Sequence, residues 1–344
     1  MDISTQGRKG ERARGRKGEE QNALARSTLA QRIDAELDQA PRPGIDAFCQ
    51  AVRARHGEAV AAVLFYGSCL RKDTLDGVLD FYVLVDRYKE TYRRRLPAVF
   101  NRLIPPNVFY LEWQTGDRTL HAKYAVISVH DFERGMRPGC LHAYIWARFA
   151  QPSLLAWARD EQVRARVVEA SARAVVTLIQ RLGVFQPFRD DALHFTASAL
   201  WHEAFRRTYG AELRTETAET VQTVYEADPA RYDAAAAEAL AVLHAEGWFD
   251  ALTRNDDTFT AKLPASRLRR ARWAWYWRRP VAKAIAFFRL LKTAFTFGDW
   301  VPYAKFKLER HTGMKIELTP RQRRYPLLFF SPVILRLFFR GDIR

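Results

Sequence analysis

Phe65-Tyr66-Gly67-Ser68, followed by Leu79-Asp80-Phe81-Tyr82-Val83-Leu84-Val85-Asp86, is the stretch on which the reading of this chain turns. Ala59 to Tyr66 is a continuous apolar segment of strand length. The Gly-Ser pair that ends it lets the backbone turn sharply and aim N–H groups at an anion, with the Ser68 hydroxyl as one more donor. A polar loop from Arg71 to Gly77 leads into a second apolar strand that carries Asp80. An ionised carboxylate in such a run is costly unless a metal ion or a cationic partner compensates it. Asp80 is therefore either a metal ligand or the partner of a neighbouring cation in a plain two-strand turn.

The arrangement of Gly-Ser, a gap and an acid on the next strand resembles the active-site pattern of the nucleotidyltransferase superfamily that includes DNA polymerase β. That pattern has two acids, Asp-x-Asp, and here Tyr82 stands in the second position. One branch shares the departure. Tyr66-Gly67-Ser68, Leu79-Asp80-Phe81 and Val85-Asp86 resemble the mitochondrial-type phosphatidate cytidylyltransferases, the CDP-diacylglycerol synthases of the translocator assembly and maintenance family. Lys123-Tyr124-Ala125-Val126-Ile127-Ser128 and Tyr144-Ile145-Trp146-Ala147-Arg148-Phe149, with Pro152 after it, resemble two further motifs of that family in the same order. Tyr209-Gly210-Ala211-Glu212-Leu213-Arg214 is a looser match, as is Glu246-Gly247-Trp248-Phe249 before the polar turn Asn255-Asp256-Asp257. The resemblance runs from Val63 to Pro264 and weakens in the C-terminal third.

The resemblance implies transfer of CMP from CTP to phosphatidate at a membrane surface, with Mg²⁺ as cofactor. It implies Tyr66, Gly67, Ser68 and Lys123 as nucleotide-binding residues and Asp80, Lys123 and Ser68 as catalytic ones. Asp80 is then the metal ligand, with Asp86 and Glu112 as candidate helpers, and Arg148 and Arg214 are candidate cations for the lipid phosphate or the triphosphate. Lys123 carries weight on its own terms. A cation within Ala122 to Ile127 is as poorly placed in a core as Asp80, and a triphosphate between them relieves both. A direct Lys123–Asp80 ion pair is the alternative. Glu112 likewise has an edge-strand salt bridge as its alternative.

At 344 residues the chain holds two or three units, and its 48% hydrophobic content permits real cores. Three cysteines, Cys49, Cys69 and Cys140, lack metal-ligand spacing and are odd in number. They disfavour a zinc module and a secreted disulfide framework, and point to a reduced cytoplasmic setting. The pattern predicts an α/β fold: a disordered charged tail over 1–26, a nucleotidyltransferase domain of DNA polymerase β type with a mixed sheet over 27–150, and a helical, winged-helix-like domain over 151–264. A basic amphipathic region over 265–344 completes the chain. The predicted strands are Ala59–Tyr66, the Asp80 run, Val108–Trp113 and Thr119–Val129. Helices are expected from Tyr92 to Leu103, after Pro152 through Leu154-Leu155 to Leu182, from Ala192 to Thr208 and from Ala234 to Ala245, with a hairpin near Gly247 to Lys262.

A net charge of +16 is concentrated at the two ends. Arg267, Arg269, Arg270, Arg272, Arg278 and Arg279 surround Trp273, Trp275, Tyr276 and Trp277, and the apolar segment Val281 to Phe297 follows. Aromatic rings beside cations suit the headgroup boundary of an anionic membrane. Tyr325 to Phe339 is a second apolar stretch, shorter than the ~20 residues of a spanning helix and interrupted by Pro326, Pro332 and Arg336. Both read as in-plane anchors, placing the protein peripherally on the inner face of the cell membrane. Single-stranded nucleic acid and simple core packing are the competing uses of the Trp cluster. The acidic run Glu212, Glu216, Glu219, Glu226 and Asp228 argues against a nucleic-acid footprint in the middle region. Two further function classes stay open: a nucleotidyltransferase acting on RNA, protein or a small hydroxyl compound, and a catalytically inactive membrane-associated protein with this fold.

Overall fold

The structure, a computed structural model, describes residues 4–39, 44–92, 95–211 and 218–296. Arg214, Glu212 and the apolar stretch Tyr325 to Phe339 lie outside the described residues. Where a disordered tail over 1–26 is expected, the chain forms helix α1 (Ser4–Leu37). Its second half has a reason to be ordered: Leu29, Ile33 and Leu37 recur every four residues and are buried. Helix α2 (Ile45–His56) likewise buries Ile45, Phe48, Cys49 and Val52 on one stripe.

Strand β1 (Val60–Tyr66) is buried along nearly its whole length, as its unbroken apolar sequence requires of a central strand. The short helix α3 (Ser68–Arg71) follows, then β2 (Val78–Val85), antiparallel to β1. The helix expected from Tyr92 to Leu103 is split into α4 (Tyr88–Thr91) and α5 (Arg95–Leu103), because Tyr92 is extended. The hairpin of β3 (Asn107–Thr115) and β4 (Arg118–Ser128) turns at Gly116 and Asp117, and β4 runs parallel to β2. After α6 (Val129–Gly135) and α7 (Trp146–Phe149) comes a correction. Ser153–Ala158 is a strand, β5, and not the start of a helix. It forms the edge of the sheet beside β1, in the order β3-β4-β2-β1-β5. The helix begins later, at α8 (Glu161–Leu182), where the Asp160 side chain accepts from the Val163 N–H and caps it. The sheet thus extends beyond residue 150.

A two-residue strand β6 (Phe188–Arg189) and β7 (Ala192–Thr196) precede α9 (Ala197–Ala211). Ala192 to Thr196, expected as helix, is strand because it pairs with a later hairpin strand; Thr196 Oγ1 then accepts from the Ala199 N–H at 3.2 Å as α9 begins. Helices α10 (Ala218–Glu226) and α11 (Pro229–Ala245) lead to the hairpin β8 (Ala251–Asn255) and β9 (Thr258–Lys262). These strands make a second, antiparallel sheet ordered β6-β7-β9-β8. The molecule is α/β, with a mixed five-stranded sheet flanked by helices.

Alternation along β2 sorts its residues between two cores. Phe81 and Val83 face α2, where Phe48 stacks on Phe81 at 3.9 Å between ring centres. Tyr82 and Leu84 belong to the other, larger core, which also holds buried residues of α1, α6, α7 and α8. Asp80 belongs to the second set by its spacing, as Lys123 does beside Ala125 and Ile127. The site-bearing face of the sheet is therefore the one that meets the rest of the chain.

The last described element is α12 (Ala265–Thr296), which straps that rest. Trp275 is buried against Trp146. Arg272 donates to the carbonyls of Val184 and Gln186, Arg278 to those of Pro138 and Cys140, and Lys292 to those of Ile104 and Pro106. The outer face is different: Trp273, Tyr276, Trp277, Phe287 and Phe288 are exposed. The Trp/Arg cluster is thus divided, one side packed and one side bare. No helix among the described residues is long and apolar enough to cross a membrane.

Candidate active site

Strand register assembles the site. Ser153, Tyr66, Asp80, Lys123 and Tyr110 form one row across the five strands, each the direct neighbour of the next. At the end of β1, Gly67 turns the chain with φ +96°, ψ −162°, a conformation for glycine alone. A Cβ built on Gly67 would lie 3.1 Å from Asp80 Oδ2, so the missing side chain also makes room for the carboxylate. The Gly-Ser turn and the acid of the sequence motif are therefore in van der Waals contact. Ser68 is exposed at the start of α3, beside them. Cys69 is buried and turned to the Val78 carbonyl, which makes it a small packing residue.

Lys123 Nζ lies 3.1 Å from Asp80 Oδ1, with 38% and 25% of the two side chains exposed. The direct ion pair posed as the alternative is formed, and it is partly open to water. A pair in that setting is worth ~0–1 kcal/mol. That is too little to explain two charges on central strands by stability alone.

A second layer sits over Tyr66. Its ring packs against Tyr82 and Phe149 at 5.4 and 5.8 Å between centres. Burial, and after it the Asp80 carboxylate, hold the Tyr66 hydroxyl well above its ordinary titration range, while Arg148 and Lys123 pull the other way. Tyr82, in the place of the superfamily's second acid, is fully buried with its ring against Phe149, and burial raises its hydroxyl as well. A carboxylate there would meet an aromatic wall.

Arg148 stacks its guanidinium over the Tyr144 ring at 3.8 Å, and Arg289 of α12 stacks over the same ring at 3.9 Å. Two guanidiniums that close cannot share one face of a ring, so Tyr144 is held between them. Burial alone would raise the Tyr144 hydroxyl; Arg148, Arg289 and Lys123 overcome it and hold the group below the usual range. Tyr144 opens a motif quoted from the sequence but was given no role there, and Arg289 was not assigned to the site. The Tyr144/Arg148 spacing of four is a further signal, since it suits one face of a helical turn.

Two expected residues do not join the site. Asp86 lies past the far end of β2, about 20 Å from Asp80 at ~3.3 Å per residue, and its carboxylate is taken by Arg159 at 2.5 and 3.3 Å. Glu112 is on the right face but offset from Asp80 by two strands and two residue positions. It accepts from Tyr110 Oη at 3.0 Å and lies 3.5 Å from His121 Nδ1, the edge-strand pairing. Among the described residues no three His, Cys, Asp or Glu side chains are grouped to hold a metal ion. Asp80 is left as one carboxylate beside the Gly67 turn. That donor set suits Mg²⁺, which binds through one or two carboxylates plus substrate phosphates and keeps its waters.

No protein-family model matches this chain, and no curated protein matches it either.

Proposed function

We propose that this protein is a nucleotidyltransferase that transfers CMP from CTP to phosphatidate, giving CDP-diacylglycerol and pyrophosphate. The observation that carries this reading is the Gly67–Asp80–Lys123 constellation: a glycine turn against a carboxylate, with a lysine in register on the next strand. The reading includes the nucleotidyltransferase fold of DNA polymerase β type for the first sheet and a winged-helix-like role for the second. The choice of CTP and phosphatidate rests on the family resemblance alone.

The chemistry suits the residues present. The phosphomonoester of phosphatidate is already anionic at neutral pH, so its oxygen attacks the α-phosphorus of CTP without a strong base. The new P–O bond forms in line with the bond to the β-phosphate, which breaks and leaves as pyrophosphate. Gly67 and Ser68 hold the β- and γ-phosphates. Lys123 exchanges its pairing with Asp80 for the triphosphate and neutralises charge that develops during transfer. Arg148, over Tyr144, is a further cation whose charge reaches Tyr66. Asp80 is the side chain that would hold Mg²⁺, which supplies charge neutralisation on the triphosphate.

The outer face of α12 supports a membrane setting. Trp273, Trp277, Phe287 and Phe288 are exposed beside Arg269, Arg270 and Lys283, the pairing expected of a helix lying at an anionic lipid surface. The direct Lys123–Asp80 pair and the buried Tyr82 favour a second reading, an inactive protein that kept the fold. Asp80→Ala separates the two. It is expected to cut CTP-dependent pyrophosphate release by roughly 10²-fold or more, while stability moves by less than ~1 kcal/mol. Equal release from the variant would remove Asp80 from the mechanism, and no release from the wild type would favour the inactive protein.

A further inference from the structure

A cavity of about 470 Å³ opens between the end of α5, the 137–142 loop after α6 and the middle of α12. Its walls have two characters. Leu103, Leu141 and Ile285 are apolar, whereas Arg134, Arg137 and Arg289 are cationic, with Asp131 as the one acid. Asp131 is already engaged, 2.8 Å from Arg134 and accepting from the Tyr88 hydroxyl at 2.7 Å. The lining carries three guanidiniums and one carboxylate, a net positive wall that suits an anion.

The rim says which kind of anion. Among the described residues, every strongly exposed large apolar side chain except Leu24 belongs to α5, to Leu141 or to α12. On α5 these are Leu96, Val99 and Leu103, spaced three and four apart on one stripe. The cavity lies where the three apolar surfaces meet, since Leu103, Leu141 and Ile285 all line it. A free anion would use the arginines and leave the apolar rim in water. A neutral lipid would cover the rim and make no use of the cationic wall. An anionic amphiphile satisfies both.

We propose that this cavity binds the phosphate-bearing head of one anionic lipid, with its glycerol end at the rim formed by Leu103, Leu141 and α12. The inference deepens the proposed function and rests on it for the lipid's role as acceptor. Arg289 spans the wall, lining the cavity and stacking on Tyr144, whose other face carries Arg148. Arg289 thereby connects the cavity to Tyr144, whose hydroxyl also feels the charges of Arg148 and Lys123.

The test is calorimetric titration of the full chain, without nucleotide, with dihexanoyl phosphatidate below its micelle concentration. Dihexanoyl phosphatidylcholine and inorganic phosphate are titrated in parallel. Arg137 and Leu141 are exposed, so Arg137→Ala and Leu141→Asp leave the packing intact, which a melting curve checks. Saturable one-to-one binding of the phosphatidate is expected, at least tenfold weaker in each variant, with both control ligands at least tenfold weaker on the wild type. No binding, or equal binding by wild type and both variants, would overturn the proposal. Inorganic phosphate binding as tightly as the lipid would overturn the lipid assignment in favour of a free anion. Unaltered lipid binding in the variants beside intact pyrophosphate release refutes the cavity alone; lipid binding without nucleotide chemistry refutes the reaction alone.

Discussion

Gly67 concentrates two constraints in one residue, and substitution separates its effects. Gly67→Ala is expected to cost ~1–3 kcal/mol for its glycine-only backbone and to push the Asp80 carboxylate from its place 3.1 Å away. Urea unfolding reads the first effect and pyrophosphate release the second; a variant unchanged in both would contradict the described turn. His56 supplies a pH test. It is buried between the Thr91 carbonyl and the Tyr124 hydroxyl, and burial lowers its pKa to about 4. The unfolded chain then binds more protons between pH 6.5 and 4, so stability is full above 6.5 and falls as the solution is acidified through that window. The loss approaches roughly 3 kcal/mol at most. In His56→Asn the dependence in this window is expected to flatten; a wild-type slope in the variant would assign it to other groups. Asp80 and Lys123 were legible in the sequence because a charge in an apolar run needs a partner. Tyr144 was not, since an aromatic residue reads as core until its two guanidinium neighbours are seen. The separation of Asp86 and Glu112 from Asp80 was not legible, because the order of residues in a motif does not give position along a strand or across a sheet.

At the scale of elements, α12 carries the argument, because its two faces make different demands. Trp275 faces inward, and Trp275→Ala is expected to destabilise the fold by about 3–5 kcal/mol. Trp277 and Phe287 are 61% and 56% exposed, so Trp277→Glu with Phe287→Glu is expected to keep the melting temperature. The same pair should lower co-sedimentation with anionic vesicles at least about tenfold, from lost apolar burial and added repulsion. If the pair pelleted like the wild type, the membrane role of this face would be wrong. Removal of the whole helix would be a poorer test, because it uncovers Trp146 and the carbonyls that Arg272 and Arg278 cap. The central strands β1, β2 and β4 were readable from apolar runs alone. β5 and β7 were not, because Leu154-Leu155 and Leu193 fit helix and strand equally. The capping side chains of Asp160 and Thr196, which mark where the helices begin, were the signal available.

For the whole molecule, the two sheets, α12 and the charge distribution converge on one face. The mixed sheet turns Asp80 and Lys123 toward the rest of the chain, the Lys123 charge reaches the Tyr144 hydroxyl, and Arg148 and Arg289 of α12 stack on the Tyr144 ring. The chain's positive charge accumulates in the region that carries the exposed aromatic stripe. That layout suits an enzyme working on an anionic substrate at a surface, and the α/β class with its mixed sheet was legible from the order of apolar runs and turns. How α12 reaches Tyr144 was not, because such packing depends on contacts between residues more than a hundred positions apart. The most direct test of the account is pyrophosphate release by the purified protein with Mg²⁺, supplying each of the four nucleoside triphosphates with and without phosphatidate in mixed micelles. The account predicts release with CTP only when phosphatidate is present, abolished by chelation of the metal. Release with another nucleotide and no dependence on lipid, or no release under any condition, would contradict it.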